Sequence, residues 1–136
     1  MHIITYLHFP GGRAEEALNF YKETTGGEVL MVSRMGDGPM DVPEHLKNKI
    51  MHARLRIGET VLYLSDTFEE NKITPGNNLA LSLEADTVEK VDELYAKLSE
   101  GGQGIMPPND AFWGSRFSML VDKFGVSWMV SCELKK

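Results

Sequence analysis

The chain has 136 residues, of which 42% are hydrophobic and 25% are charged, and its formal net charge at pH 7 is −6. This length and composition suit a single domain with its own hydrophobic core, and they exclude the disordered and collagen-like classes. The acidic balance argues against a nucleic-acid-binding protein, which would carry a basic stripe, and it mildly favours cationic or neutral ligands.

Several further features predict a cytoplasmic protein that does not contact a membrane. No apolar run approaches the roughly 18 residues of a membrane span. The N-terminal stretch MHIITYLHF lacks the basic and small-residue flanks of a signal peptide. Cys132 is the only cysteine, so neither an intrachain disulfide nor a cysteine-based zinc site is expected.

The first half of the chain has the pattern of a strand, a helix and three further strands. Alternation of side chains predicts the strands. Apolar residues at helical spacing, followed by Gly26-Gly27, predict the helix and its end. The predicted elements are a strand at 3–9, a helix at 13–24, a strand at 28–34, a long polar segment at 35–49 with one helical turn near 44–47, and a hairpin of strands 52–57 and 61–66 around Gly58-Glu59.

The second half repeats this order. We expect Asp86 to cap the second helix, with Glu89 three residues further on, and Gly101-Gly102 to end it. The stretch 113–131 reads as two strands joined by the turn 122–125, in which Asp comes first and Gly fourth. The predicted elements are a strand at 78–84, the helix, a short strand at 103–106, a loop at 107–112 and the hairpin of 113–131.

The two halves therefore predict a duplicated α+β fold. The first predicted helix contains Phe20-Tyr21 and is followed by Gly26-Gly27. The second contains Leu94-Tyr95 and is followed by Gly101-Gly102, at an offset of about 74 residues. We predict one domain over 1–136, built from tandem βαβββ modules at about 1–66 and 78–136 with a connector at 67–77. Each module would be a four-stranded, mostly antiparallel sheet with its helix on one face, and the two sheets would curl around a cleft.

Three stretches carry a resemblance to a known family: YLHFPGGRAEEALNFYKETTGGE, IMHARLRIGETVLYLSD and WGSRFSMLVDKFGVSWMVS. Together they resemble the PhnB-like branch of the glyoxalase, bleomycin-resistance and dioxygenase superfamily, the vicinal oxygen chelate fold. The resemblance covers nearly the whole chain and implies the paired βαβββ modules. Members of this superfamily isomerise, epimerise, cleave or simply sequester small molecules, so the resemblance implies the fold more than the function.

The same resemblance implies where a metal would be held, because the family's metalloenzymes place His, Glu or Gln at one point on the first, fourth, fifth and eighth strands. Here these points align with Tyr6, Tyr63, Asn78 and Met129. Two phenols, an amide and a thioether do not make a divalent metal site. Shifting the first strand to His8 recovers only one ligand. We therefore predict that this protein has no metal site.

Alternation assigns one face of each sheet to the helices and the other to the predicted cleft. The cleft face would carry a mixture of aromatic rings, hydroxyls and histidines, which suits a small-molecule pocket; a wet sheet face or a dimer contact is the alternative. The ligand-binding candidates are Tyr6, His8, His52, Tyr63, Ser65, Asn78, Trp113, Phe117 and Met129.

Three functional hypotheses remain open on the sequence, one of which is an inert interaction module. The leading one is a metal-independent small-molecule-binding protein without a cofactor, acting as a homodimer whose clefts are closed by segments 35–49 and 107–113. The alternative is an isomerase-like or lyase-like enzyme in which His8 or His52 is the base, with or without a divalent metal at non-standard positions. No Walker loop, dinucleotide fingerprint, nucleophile elbow or His-Glu-x-x-His motif is found.

Overall fold

The computed structural model describes residues 1–67 and 73–135 of the chain. Over these residues the order of strand, helix and three strands occurs twice, which confirms the predicted α+β fold of tandem βαβββ modules. The elements are β1 (Tyr6–Phe9), α1 (Ala14–Thr25), β2 (Glu28–Arg34), β3 (Ile50–Ile57), β4 (Thr60–Asp66), β5 (Leu81–Glu84), α2 (Val88–Ser99), β6 (Gln103–Asp110), β7 (Ser115–Val121) and β8 (Ser127–Glu133).

The chain divides into two compact units, Met1–Thr74 and Pro75–Lys136, each of which contains one module and one open sheet. The strand order is β1-β4-β3-β2 in the first sheet and β5-β8-β7-β6 in the second. In both sheets the first strand runs parallel to the fourth, and the other neighbouring strands are antiparallel. The predicted connector at 67–77 includes residues 68–72, which lie outside the described residues.

In the first unit, α1 packs on one face of the sheet. Its buried residues are Ala14, Ala17, Leu18 and Tyr21, which recur at helical spacing and form the stripe facing the strands. The helix ends at Gly26, which adopts a left-handed conformation with φ of 74° that other residues rarely take. Phe9, Ala53, Leu55, Leu62 and Leu64 supply the buried side of the strands.

The carboxylate of Asp66, at the end of β4, joins two other elements of the first unit. Its Oδ1 accepts a hydrogen bond of 2.9 Å from the backbone N–H of Ala14 at the start of α1. Its Oδ2 accepts one of 2.7 Å from the backbone N–H of Ile50 at the start of β3. The side chain is only 6% exposed, so it satisfies two buried donors and places a negative charge at a helix N-terminus.

The second unit is built on the same plan, with Val91, Leu94 and Leu98 of α2 buried against its sheet. The turn 122–125 forms as predicted: the N–H of Gly125 donates to the carbonyl of Asp122, and Gly125 has a φ of 87°. The Asp122 carboxylate also accepts hydrogen bonds from the N–H groups of Phe124 and Val126 and from the indole N–H of Trp128. Asp122 is thus a structural residue of the hairpin.

Some predicted boundaries are wrong. β5 begins at Leu81 rather than at residue 78, and Leu79, which precedes the strand, is 82% exposed. β6 continues through Pro107 and Pro108 to Asp110, where a loop was predicted. The side chain that caps α2 is that of Thr87, which accepts a hydrogen bond from the N–H of Lys90, and not that of Asp86.

The segment between β2 and β3 contains two short 3-10 turns, Met35–Asp37 and Glu44–Leu46, of which only the second was predicted. Among the described residues, no helix combines the length and the apolar character needed to cross a membrane.

We predict that replacing Asp66 with Asn lowers the free energy of unfolding by about 2 kcal/mol, since one of two buried backbone N–H groups loses its acceptor. Urea unfolding measures this change. The control is Asp37→Asn, because Asp37 also accepts a backbone N–H, that of Arg34, but in an exposed position. We expect the control to change stability by less than about 0.5 kcal/mol. Equal effects of the two substitutions would contradict the role assigned to Asp66.

Candidate functional site

The face of the first sheet away from α1 carries a group of polar and aromatic side chains. We call this group the open-face cluster. It consists of Tyr6 and His8 on β1, His52 and Arg54 on β3, and Tyr63 and Ser65 on β4. All five first-module residues that were predicted as ligand-binding candidates belong to it.

Strand register explains why these side chains meet. β1 runs parallel to β4 and sets Tyr6 opposite Tyr63 and His8 opposite Ser65. β3 runs antiparallel to β4 and sets Arg54 opposite Tyr63. Because residues two apart on a strand share a face, His52 joins Arg54 on the same side of the sheet.

A chain of hydrogen bonds connects Arg54, His52 and Tyr6. The Nε–H of Arg54 donates to Nε2 of His52 over 3.0 Å, and Nδ1 of His52 lies 2.7 Å from Oη of Tyr6. A guanidinium can only donate, so Nε2 of a neutral His52 is the acceptor and Nδ1 carries the proton. The imidazole therefore donates to the Tyr6 oxygen, and the hydroxyl proton of Tyr6 is left to bind another group.

Aromatic contacts hold the same side chains in place. The ring of Tyr6 stacks on His8 with centroids 4.8 Å apart, and Tyr63 meets His52 edge-on at 4.7 Å. The guanidinium carbon of Arg54 lies 4.7 Å from the centre of the Tyr63 ring, within cation–π range. Tyr6 remains 39% exposed, so the arrangement offers a ring and a hydroxyl to a ligand.

The two histidines differ in what their nitrogens do. Both nitrogens of His52 are engaged, by Arg54 and by Tyr6. His8 forms a hydrogen bond of 3.0 Å through Nδ1 with Oγ of the buried Ser65. Within the described part of the chain, no residue binds Nε2 of His8, which makes His8 the more available of the two as a proton acceptor.

Burial lowers the pKa of His52 below its ordinary value, and the positive charge of Arg54 lowers it further. Both causes disfavour the imidazolium form. A neutral His52 is also what the hydrogen bond from Arg54 requires, so the electrostatics and the geometry agree.

The remaining candidates lie in or beside the second unit's sheet. Trp113 is 57% exposed and its ring contacts Phe117 edge-on, with centroids 5.4 Å apart. Met129 lies on β8 opposite Ser82 of β5. Asn78 precedes β5 and is exposed, so it is not part of a strand face.

This register also refines the positions at which the family's metalloenzymes hold a metal. Tyr6 lies opposite Tyr63 in the first sheet, and the corresponding pair in the second sheet is Ser82 and Met129 rather than Asn78 and Met129. In the first unit the Tyr6 oxygen accepts from His52, and a guanidinium cation already lies over Tyr63. This donor set does not fit a divalent metal.

A search for other metal ligands gives no alternative site in the described residues. Over residues 1–67 and 73–135, no three His, Cys, Asp or Glu side chains come together as metal ligands would. The absence of a metal in the functioning protein stays a prediction.

A separate cavity of about 450 Å³ lies within the segment that joins β2 to β3. Its lining is largely apolar and includes Met35, Met40, Leu46 and Met51, with His45 as a polar member. None of its lining residues belongs to the open-face cluster. The segment predicted to close a cleft therefore forms a pocket of its own.

Sequence reasoning missed Arg54 as a site residue. Alternation did place Arg54 on the same face as His52, but the arginine was not selected as a candidate. The available signal was the His-x-Arg spacing on one strand, which brings the two side chains to one face.

These observations define the class of protein: an α+β protein of two βαβββ modules whose first sheet presents an aromatic face rich in hydrogen-bond donors. The chain belongs to the Glyoxalase/Bleomycin resistance protein/Dioxygenase superfamily, whose family profile matches residues 3–130. The resemblance inferred from sequence is thereby confirmed.

Three relatives illustrate the similarity. The chain is 28% identical over 141 residues to Protein YjdN of Escherichia coli K12, covering 96% of this chain and 95% of the relative. The crystal structure of protein PA1353 from Pseudomonas aeruginosa is 33% identical, with a TM-score of 0.84 and coverage of 98% and 100%. The PhnB protein from Bacillus cereus is 29% identical, with a TM-score of 0.77 and coverage of 97% and 99%.

The depressed pKa of His52 predicts a pH dependence of stability. Folded His52 binds a proton less readily than unfolded His52, whose pKa is about 6.5. Between the two pKa values the unfolded state therefore holds more protons, and stability falls as pH decreases through that window. Urea unfolding of wild type and His52→Gln between about pH 5 and pH 8 tests this, since the variant lacks this component.

A pH titration of His52 followed by NMR separates the two causes that lower its pKa. In Arg54→Met we expect the pKa of His52 to rise but to stay below its ordinary value, because burial is the larger cause. Arg56→Met is the matched control, two residues along the same strand, and should leave the pKa of His52 unchanged. A wild-type His52 that titrates at or above its ordinary pKa would refute the assigned geometry.

Proposed function

We propose that this protein is a metal-independent small-molecule-binding protein whose ligand occupies the open-face cluster. The observation that carries the proposal is the hydrogen-bonded series Arg54–His52–Tyr6, which fixes an exposed ring and turns a hydroxyl proton away from the protein. A fixed donor beside aromatic surface is what a small-molecule site requires.

Superfamily membership supports binding but does not choose among activities. The description of the family joins glyoxalases, bleomycin resistance proteins and dioxygenases, which share a fold while differing in function. The choice therefore rests on the residues. The positions where metalloenzymes of this fold hold a metal carry phenols, a hydroxyl and a thioether here, which favours binding without a metal.

For the enzymatic alternative, an isomerase-like or lyase-like proton transfer, the geometry favours His8 over His52 as the base. His8 is exposed, stacks on Tyr6 and has an Nε2 atom that no described residue binds, while both nitrogens of His52 are engaged. If the protein turns over a substrate, His8 is therefore the favoured base. His8→Gln should then reduce kcat far more than His52→Gln, and equal losses would contradict this choice.

We predict that some members of a compound set spanning aromatic, cationic and thiol-conjugate molecules raise the melting temperature. A ligand at about 100 times its Kd stabilises the folded state by about 2.7 kcal/mol through mass action. Tyr6→Ala should abolish the stabilisation, because it removes both the ring and the hydroxyl. Tyr95→Phe, on α2 and outside the cluster, is the control and should keep it.

A compound set without any binder would contradict the proposal. Stabilisation that persists in Tyr6→Ala would place the ligand elsewhere on the protein, for example in the cavity lined by Met35 and Met51. Each outcome is read from the shift in melting temperature together with the fold of the variant, which circular dichroism checks.

We also propose that the protein acts as a homodimer in the cytoplasm. β2 lies at the edge of its sheet and exposes Leu30 by 44% and Val32 by 39%, an apolar edge that association would cover. Sedimentation equilibrium should give twice the mass of one chain. A monomer at all concentrations would contradict the dimer while leaving the binding proposal intact.

A further inference from the structure

The arginines of this chain differ in their partners. In the described residues, four of the five lie within ion-pair distance of a carboxylate, and Arg54 does not. The paired arginines are Arg13 with Glu16, Arg34 with Glu15, Arg56 with Glu28, and Arg116 with Asp92 and Asp110. Arg54 is therefore a cation without a counter-ion among the residues that the structure describes.

The guanidinium of Arg54 is nevertheless held in one orientation. Its Nε–H donates to His52, and its carbon lies over the ring of Tyr63. These two contacts use one of its five N–H groups and one of its planar faces. Its terminal nitrogens, which form no hydrogen bond with any described residue, carry the N–H pairs that bind a carboxylate in a two-pronged arrangement.

We propose that Arg54 recognises an anionic group and that the ligand of the open-face cluster is an aromatic monocarboxylate; this inference rests on the function proposed above. The carboxylate would bind the terminal nitrogens of Arg54. The aromatic body would pack against Tyr6 and Tyr63, and the Tyr6 hydroxyl would donate to an acceptor on the ligand. No carboxylate belongs to the cluster, so nothing within it competes for the guanidinium.

The charge of the site selects a monoanion. His52 accepts the hydrogen bond of Arg54 through an unprotonated Nε2, so its imidazole is neutral and adds no second positive charge. Arg56, the next arginine on β3, is paired with Glu28. The net charge of −6 over the whole chain mildly favours cationic or neutral ligands, but the open-face cluster contains a guanidinium and no carboxylate. Short-range contact with an unpaired guanidinium outweighs a diffuse field that salt screens.

Three probes of one shape and different charge test the inference. Benzoate, benzamide and benzamidine are anionic, neutral and cationic, and each is titrated into the full chain while the backbone amide resonances of β1, β3 and β4 are followed by NMR. We expect benzoate to shift the resonances of the cluster with at least about ten-fold higher affinity than benzamide, and benzamidine to bind most weakly.

Variants assign the preference to one side chain. Arg54→Met keeps the aliphatic stem and should lose about ten-fold or more of the affinity for benzoate, with little change for benzamide. Arg56→Met is the matched control and should stay within about two-fold of wild type. Arg54→Lys keeps the charge without the planar fork, and it should retain a reduced preference for benzoate.

The outcomes separate this inference from the function on which it rests. Benzamidine or benzamide binding the cluster as tightly as benzoate would overturn the anionic ligand but support the binding site. An undiminished benzoate affinity in folded Arg54→Met would overturn the role of Arg54. If none of the three probes shifts the cluster, the inference fails, and the wider compound set decides the proposed function. If Arg54→Met does not fold, the wild-type series and Arg54→Lys decide the question.

Discussion

The buried carboxylate of Asp66 is the interaction on which the first unit depends. It ends β4 and binds the first N–H of α1 and the first N–H of β3, so three elements meet at one group. It also holds Ile50, which is fully buried, beside His52 on the same strand.

Strict alternation along β3 would put Ile50 and His52 on one face of the sheet. The register of β2 with β3 shifts between Ser33 and Arg34, and Met51 becomes an extra residue that lets Ile50 enter the core while His52 faces away from it.

Alternation, helical spacing and turn residues were sufficient to predict the order of elements, because each of these signals is local. The errors in strand boundaries arose where pairing with a neighbouring strand determines the bounds of a strand. Residues 78–84 alternate throughout, but the register of Leu81 with Trp128 would place Asn78 opposite Gly125, which belongs to the turn, so the strand starts later. Pro107 and Pro108 suggested a loop because proline donates no hydrogen bond. β6 is an edge strand, and a missing donor is tolerated there.

The candidate site shows the same division between local and non-local information. The alternation of side chains along each strand was enough to place the first-module candidates on one face of the sheet. The register of the strands then brings them into contact. The role proposed for Arg54 could not be predicted in this way, since it depends on which arginines are paired with carboxylates. Arg56 lies two residues after Arg54 and on the same face of the sheet, yet it is opposite Glu28 and forms an ion pair with it. That difference follows from the pairing of β2 with β3, which the sequence pattern leaves open.

Equivalent rows of neighbouring residues, which cross the four strands of each sheet, differ in polarity between the two sheets. The first sheet has one row of neighbours formed by Tyr6, Tyr63, Arg54 and Met31. In the second sheet the corresponding row is formed by Ser82, Met129, Met119 and Met106. The backbone plan is thus repeated while three of four side chains differ, and the fourth is methionine in both. Thioethers offer adaptable apolar contact and only weak acceptors, whereas phenols and a guanidinium donate hydrogen bonds. The row of the first module therefore offers hydrogen-bond donors, while the row of the second module is largely apolar on the same backbone plan.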